Sequence, residues 1–463
     1  MQHPTTSIHR DHAIVIGASM AGLLAARILA EHYVHVTILE RDTFPAPGEN
    51  RKGVPQGRHA HALLPSGRGA LETLFPELCQ ELVAQGAIVA DSGQSSLRMI
   101  SGSYHLRFQS GVQSLFVSRP RLEAQVRKRL LALPNVEIIE NCSVLGVTTT
   151  EDQSQVTGVR LIRRRNGSVE VTLAADLVVD ASGRGSQSPA WLAALGYAKP
   201  TEEQVKVNVG YVSRVYRRQP GQAQGAYIVN IGPLPSNRRL GVMIAMEDDR
   251  WLVTLAGYLG DQPPTDPAGF LAFAQSLAAP DIYDVIRSSE PLTDPLPATF
   301  PASTRRHYAQ MARFPVGYLV FGDAISSFNP IYGQGMSVAA LEALVLQRCL
   351  QQGDVRLAQR FFMEAAKLVD IPWAIAVGGD LRFPEVEGQR SALKPVIDWY
   401  MTHLHRAARH DPAVVKAFGK VANLVAPPST LLQPRVAWRV LLGNLRPHQP
   451  RVVRPLLEAE YTR

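Results

Sequence analysis

The sequence predicts an α/β fold: a mixed sheet opened by a β-α-β unit, a second antiparallel β-sheet and a helical C-terminal region. Three observations carry this expectation. An apolar strand pattern at 12–17, a glycine-bearing turn and a helical pattern at 20–32 lead into alternating Val34, Val36 and Ile38, which is a β-α-β opening. Residues 205–258 give a near-continuous run of β-type segments. From Gly335 the pattern is helical almost to the end.

Bulk composition agrees. The 463 residues suffice for two or three packed units. Hydrophobic content of 46% against 19% charged excludes a disordered chain. A net charge of +8 favours anionic partners such as phosphorylated cofactors or an acidic membrane surface. The basic residues are spread out and form no zinc-finger or basic-zipper pattern, which argues against nucleic acid. Cys79, Cys142 and Cys349 give no CxxC and no disulfide framework, so a reducing cytoplasm is expected. The first apolar run follows a polar, histidine-bearing stretch and is broken by Gly17, Ser19 and Gly22, so no signal peptide is expected. No uncharged apolar stretch reaches the roughly 18 residues of a membrane-spanning helix.

The elements follow in order. A helix is expected at 119–132, with Leu122, Val126, Leu130 and Leu131 on one side. Short strands follow at 135–140, 143–149, 155–163, 168–173 and 175–180, with a hairpin turn at Asn166-Gly167. Longer strands read VKVNVGYVSRVYRR, AYIVNI, RLGVMIAME and WLVTLAGYLG. Proline-rich turns are predicted at 262–267 and 291–301, before a short apolar strand at 317–322. Pro372, Pro384, Pro395, Pro412, Pro427 and Pro428 are expected to interrupt the C-terminal helices.

Between the first strand and helix lies GASMAG, residues 17–22, a G-x-G-x-x-G pattern with Ser19 at its middle glycine. Gly17 permits the tight turn and Gly22 allows close helix-strand packing. The helix N-terminus then offers N–H groups to a pyrophosphate. Glu40 ends the second strand, placed for an adenosine ribose. A second strand-loop-helix unit reads VFGDAISSFNPIYGQGM, with Gly322-Asp323 at the strand end and Gly333 to Met336 opening the helix. An acid there suits a ribityl chain, and the helix N-terminus suits negative charge on a reduced flavin.

At these residues the sequence resembles the FAD-dependent aromatic hydroxylases and their epoxidase and halogenase relatives. Three motifs carry the resemblance: GASMAG with Glu40, LVVDASGRGS at 177–186, and GDAISSFNPIYGQGM at 322–336. It covers residues 12–345 in order. It implies a Rossmann-type FAD-binding domain over 1–200 and 303–350, a β-sheet substrate domain over 201–302 and a helical region over 351–463. It implies FAD held by Gly17, Ser19, Met20, Ala21, Gly22, Glu40, Arg41, Gln56, Gly57, Arg119, Asp180, Gly322, Asp323, Pro330, Gly333, Gly335 and Met336. Arg119 enters through the R-x-x-L context of Arg119-Pro120-Arg121-Leu122.

The implied activity inserts one oxygen atom from O2 into an apolar or aromatic small molecule, by hydroxylation or epoxidation through a C4a-hydroperoxyflavin. NADPH or NADH is the expected reductant, as a transient visitor or through a partner reductase. Tyr211, Met243 and Tyr332 are candidate substrate contacts. The W-x-W-x-I-P signature of tryptophan halogenases is missing, Ile371-Pro372-Trp373 being a superficial inversion. Two alternatives share the scaffold: a flavin-dependent reductase of prenyl chains, and a prenyl-lipid-binding chaperone without flavin. The intact flavin motifs argue against the chaperone. A monomer or homodimer is expected.

Within RKGVPQGRHAHALLPSG, residues 51–67, the run GVPQGRHAH at 53–61 resembles the flavin-facing loop of bacterial flavin epoxidases and reductases, and residues 51–61 take that loop's place. Gln56, Gly57 and Arg58 are expected to approach the flavin. Arg58 and His61 are the catalytic candidates, and a structural role for His59 or His61 stands beside that. His59 and His61 lie at i, i+2 with no carboxylate or cysteine cluster, so no metal is expected. Residues 431–463, with Trp438, Leu441 and Leu442, form either an amphipathic membrane surface or a solvated or dimer-packed helix.

Overall fold

The structure is a computed structural model and describes residues 10–61, 63–164 and 169–445. The chain opens with β1 (His12–Ile16), α1 (Met20–Leu29) and β2 (His35–Leu39). A 3₁₀ turn at Pro55–Arg58 leads to α2 (Pro65–Leu74), α3 (Leu78–Ala84), β3 (Ile88–Asp91), β4 (Ser96–Ile100), β5 (Ser103–Tyr104) and β6 (Gln113–Phe116). Next come α4 (Arg119–Leu131), β7 (Val136–Ile139), β8 (Cys142–Thr149), β9 (Val156–Arg163), β10 (Val169–Ala174), β11 (Leu177–Asp180) and α5 (Ser188–Ala194). The second half holds β12 (Glu202–Arg217), β13 (Ile228–Ile231), β14 (Arg239–Met246), β15 (Arg250–Gly257), α6 (Pro267–Gln275), α7 (Asp281–Ile286) and β16 (Leu296–Arg306). It ends with β17 (Tyr318–Val320), β18 (Ser326–Ser327), α8 (Gly335–Gln351), α9 (Leu357–Asp380), α10 (Lys394–Ala407), α11 (Pro412–Ala422) and α12 (Pro434–Asn444).

The expected α/β class is observed. Five strands in the order β17-β11-β1-β2-β7 pair in parallel throughout. Helices cover such a sheet on both faces, so its strands are continuous apolar runs, and Ala13, Ile14 and Val15 are fully buried. α1 packs beside α8 and α4, which sets the three glycine and arginine motifs side by side. β8, β9 and β10 form a separate antiparallel sheet; the Asn166-Gly167 turn lies outside the described residues.

The large sheet has eight strands in the order β18-β16-β12-β15-β14-β13-β4-β5. Its pairs are antiparallel except β13 with β4, and β4 and β5 come from residues 96–104 of the first half. Alternation gives it two faces. One carries Val212, Met243 and Val253 and packs on Phe270 and Phe273 of α6 and Ile282 of α7. The other carries Tyr211, Leu240 and Ala256 and meets Trp373 and Ala376 of α9.

Two expectations are corrected here. The segment 291–301 is not a proline-rich turn: residues from Leu296 form β16, zipped along β12. Pro301 is tolerated because it falls where the register shifts between Lys206 and Val209, so no regular ladder bond is lost. Pro372 does not interrupt a helix either; it lies inside the 24-residue α9. Burial of Val369, Trp373, Ala376 and Val377 around it outweighs the lost backbone bond, and Arg305 reinforces the same turns through the Ala366 carbonyl (3.3 Å) and Asp370 (2.6 Å). Pro395 and Pro412 instead occupy first helical turns, where the absent N–H costs nothing.

Candidate cofactor and substrate site

The fingerprint turn is built as its residues require. Gly17 has φ +99°, and a Cβ there would lie 2.8 Å from the Ala181 carbonyl oxygen. A Cβ on Gly22 would lie 1.7 Å from the Gly17 oxygen, so the helix can start this close to the strand only with glycine. The first helical bond of α1 runs from Leu23 N to the Ser19 oxygen (3.0 Å). The N–H groups of Met20, Ala21 and Gly22 therefore have no intrahelical acceptor. The Met20 side chain is packed in the core, so its contribution is its backbone.

Glu40 and the basic loop converge on this turn. Glu40 accepts from Ala18 N (2.8 Å) and Asp42 N (3.1 Å). Burial works to raise its pKa, but Arg51 and these N–H groups hold it below the usual carboxylate value. Arg51 donates from Nε to Glu123 of α4 (2.9 Å), while its Nη1 lies 2.9 Å from Glu40 without an aligned hydrogen bond. Arg119, at the first turn of α4, donates to Ser19 Oγ (2.9 Å) and Glu123 (3.1 Å). Thus Ser19, Arg119, Glu123, Arg51 and Glu40 form one buried, charged wall. Beside it is a pocket of about 310 Å³, open side included, lined by Gly48, Asn50, Val54, Gly57 and Arg127 among others. Arg41 is exposed.

Gly322-Asp323 faces the fingerprint from the other side. Gly322 has φ +67°, and a Cβ there would lie 2.7 Å from Ala21 Cβ. Its N–H donates to Glu342 of α8 (2.8 Å), a fully buried acid whose pKa burial raises to about 8. Asp323 is half-buried, and its carboxylate accepts no hydrogen bond from the described residues. Burial raises its pKa against the pull of Arg184 and Arg119. Beyond it, Pro330–Tyr332 makes a 3₁₀ turn and Gly333 takes φ +65°. The first bond of α8 runs from Val338 N to the Gln334 oxygen (3.0 Å), leaving the N–H groups of Gly335, Met336 and Ser337 free of helical acceptors. The Met336 side chain is buried in the core.

Several expected residues do other work. Asp180 is fully buried and accepts from Ser182 N (2.9 Å) and from the hydroxyls of Ser182, Ser186 and Ser188 (2.5, 2.6 and 2.5 Å). Its carboxylate shapes the 180–188 loop and has little capacity left for a ligand. Tyr332 spends its hydroxyl on Asp380 (3.0 Å). Met243 lies on the helix-covered face of the large sheet, opposite Tyr211, so those two do not meet.

Within 51–67 the roles differ from expectation. Gln56 and Gly57 sit in the 3₁₀ turn, Gly57 against Arg119, whereas Arg58 is exposed. Of the two histidines His59 is the less exposed: its Nδ1 lies 2.8 Å from Ser213 Oγ and its ring meets Tyr211 edge-on at 4.7 Å. Burial, then Arg58, lowers its pKa to about 4. Ala60 N donates to Thr254 (2.9 Å), and Leu64 N to Ser337 of α8 (3.0 Å). The His61 ring nitrogen contacts the His59 carbonyl (2.9 Å), and burial lowers its pKa to about 3. The loop is a staple joining the large sheet to the helix of the second glycine motif. Arg51, Glu123 and Glu342 had no motif to announce them, and their proximity is created by folding; for His59 the structural role weighed from the sequence is the one observed.

These residues fit an FAD. Two unaccepted helix N-termini, an unaligned buried Arg51 Nη1, a free Asp323 carboxylate and glycines that a Cβ would block together make a cradle for an extended, doubly charged cofactor. That is the architecture of a flavin-dependent oxidoreductase. A family model described as FAD dependent oxidoreductase matches residues 13–227. Protein Rv3254 of Mycobacterium tuberculosis is 33% identical over 456 residues, 94% of each chain. Squalene monooxygenase of Rattus norvegicus is 25% identical over 356 residues, 75% of this chain but 56% of that one. The solved structure of p-nitrophenol 4-monooxygenase PnpA from Pseudomonas putida shares the fold, with TM-score 0.62 at 16% identity over 90% of this chain and 98% of that one. The chain belongs to one family with Protein Rv3254, and its first half is that of an FAD-dependent oxidoreductase.

Proposed function

We propose that the protein inserts one oxygen atom from O2 into an apolar or aromatic small molecule. The free, half-buried Asp323 carboxylate between two open helix N-termini carries the cofactor part of this reading. In it, the N–H groups of Met20 to Gly22 and Arg119 hold the pyrophosphate. Glu40 and Arg51 hold the adenosine end, and Asp323 the ribityl hydroxyls. The N–H groups of Gly335 to Ser337 would serve the ring end, where their dipole favours negative charge. Bound FAD would supply two-electron reduction and oxygen activation. The chain's own residues orient the substrate and keep water out, through Tyr211, His59 and the 51–67 staple. Likeness to squalene monooxygenase supports oxygen insertion into an apolar substrate.

The test is purification with FAD followed by rapid mixing. Visible flavin bands, reduction by NADPH or NADH, and substrate-coupled oxygen uptake are expected. A protein that takes up no flavin after reconstitution would overturn the reading. Reduction only by an added reductase would assign the electrons to a partner.

We further propose peripheral contact with an anionic membrane, from which an apolar substrate would come. Trp399 on α10 and Trp438, Leu441 and Leu442 on α12 are exposed on two helices that pack together, beside exposed Arg435. The chain should float with phosphatidylserine-containing vesicles and less with phosphatidylcholine alone. Trp438→Ala with Leu441→Ser should release it. Equal recovery in the floating fraction with and without vesicles would sink the idea.

A further inference from the structure

A second site lies on the same sheet face as His59, three strands away. The strand registers pair Arg98 with Asn230, Asn230 with Val242, Val242 with Thr254, and Thr254 with Ser213. Directly paired residues share a face, so these five make one rung across β4, β13, β14, β15 and β12. Its far end, Ser213 and Thr254, is buried and holds the His59 staple. Toward its near end Arg98, Asn230 and Val242 are each half-buried, Arg98 alone of the three lining a cleft, while Leu97, Val229 and Met243 on the reverse face are sealed. From Thr254 to Arg98 the rung spans three strand spacings, about 14 Å.

Arg98 ends the rung in a cleft of about 540 Å³, its open mouth included, roofed by α11. His105, Lys416, Lys420 and Asn423 line it, and no carboxylate does. The Arg98 guanidinium makes no ion pair or side-chain hydrogen bond with the described residues, and the Asn230 amide makes none either. His105 is almost fully buried, and its Nδ1 has no partner. The half-buried Arg98 guanidinium has no counter-charge among the described residues, burial lowers its pKa, and two neighbouring lysines add to the positive field. The missing component is an anion.

We propose that Arg98 anchors the carboxylate end of an elongated, mainly apolar substrate whose body lies along the Asn230–Val242 rung toward Thr254 and His59. This rests on the oxygen-insertion reading for the identity of the reacting end, but not for the anion. It narrows the substrate class to amphipathic carboxylates long enough to span about 14 Å.

The experiment uses the full-length, flavin-loaded protein. Dodecanoate, methyl dodecanoate, dodecan-1-ol and acetate are titrated below micelle formation, by calorimetry and by the flavin absorbance bands. Dodecanoate should bind roughly tenfold or more tighter than its methyl ester, as a charge-assisted contact predicts. It should also shift the flavin bands, whereas acetate should not. Arg98→Met should abolish the acid-over-ester preference with flavin content unchanged, and Arg98→Lys should restore part of it. Val242→Trp, which fills the rung without touching the guanidinium, should block dodecanoate and spare acetate. Equal binding of acid and ester, a preference surviving in Arg98→Met, or dodecanoate binding untouched by Val242→Trp would each overturn the proposal. Flavin content and oxygen uptake are read on the same samples. An intact anion preference without oxygen insertion rejects the activity alone; oxygen insertion without the preference rejects the anchor alone.

Discussion

Asp323 is the residue whose removal should separate cofactor binding from folding. Its carboxylate takes no hydrogen bond from the described chain, so folding gains little from it and a ligand would gain much. Asp323→Asn should weaken FAD by about one to two orders of magnitude, the worth of one or two charge-assisted hydrogen bonds. Fluorescence titration would measure it, and the thermal midpoint of the flavin-free protein should not fall. A variant that keeps full FAD affinity would remove Asp323 from the cradle. At this scale the glycines were legible, because Gly17, Gly22 and Gly322 answer backbone demands that local sequence expresses. Arg51 was not: its partners Glu40 and Glu123 lie 11 and 72 positions away, and only folding brings them together. The 51–67 loop shows the same limit, since its basic and histidine-rich composition pointed to Arg58 and His61 whereas burial selected His59.

Among elements, the loop between β18 and α8 is held by a clamp on α9. Asp380 accepts from Tyr258 (2.7 Å), Asn329 (3.0 Å) and Tyr332 (3.0 Å), all on one oxygen. The clamp fixes the turn that ends in Gly333 and so the direction of the α8 N-terminus. Asp380→Ala would take the acceptor from Tyr258 and Tyr332 and leave Asn329 only its 3.3 Å contact with the Tyr258 hydroxyl, costing about 3 kcal/mol. Tyr332→Phe removes one bond and should cost about 1 kcal/mol. Urea melts of the two variants would test the ranking, and an Asp380→Ala melt equal to that of Tyr332→Phe would refute it. The clamp was invisible in the sequence because Pro372 made α9 look broken eight residues before Asp380 is reached. β16 was hidden for a related reason: its prolines read as turns until β12 supplied a long antiparallel template. In both places tertiary packing overrode a correct local rule. Where nothing opposed the local pattern, as in β1-α1-β2 and the strands from β12 to β15, the sequence reading and the fold agree.

For the whole molecule, buried titratable groups set opposite limits on stability. Burial lowers His59 to about 4 and His61 and His405 to about 3, and lowers His105 well below its ordinary 6.5. For a group depressed on folding, the stabilising contribution is complete above the unfolded pKa and is lost as pH falls toward the folded one. The four histidines therefore weaken the fold progressively between about pH 6.5 and 4. Glu342 acts in the other direction. Burial raises it from 4.5 to about 8, so its contribution is complete below the unfolded value and is lost as pH rises through about 8. Stability should thus form a dome with its top near neutrality, falling on the acid side by histidine protonation and on the alkaline side by Glu342 ionisation. Glu342→Gln keeps the acceptor for Gly322 N and removes the charge, so it should flatten the alkaline limb alone. His405→Gln should flatten part of the acid limb alone. Denaturant midpoints across the range for the three proteins would show it. If Glu342→Gln tracked the parent through the alkaline limb, the acid behind Gly322 would not be the group that ionises there, and the neutral Glu342 inferred beside Asp323 would have to be given up.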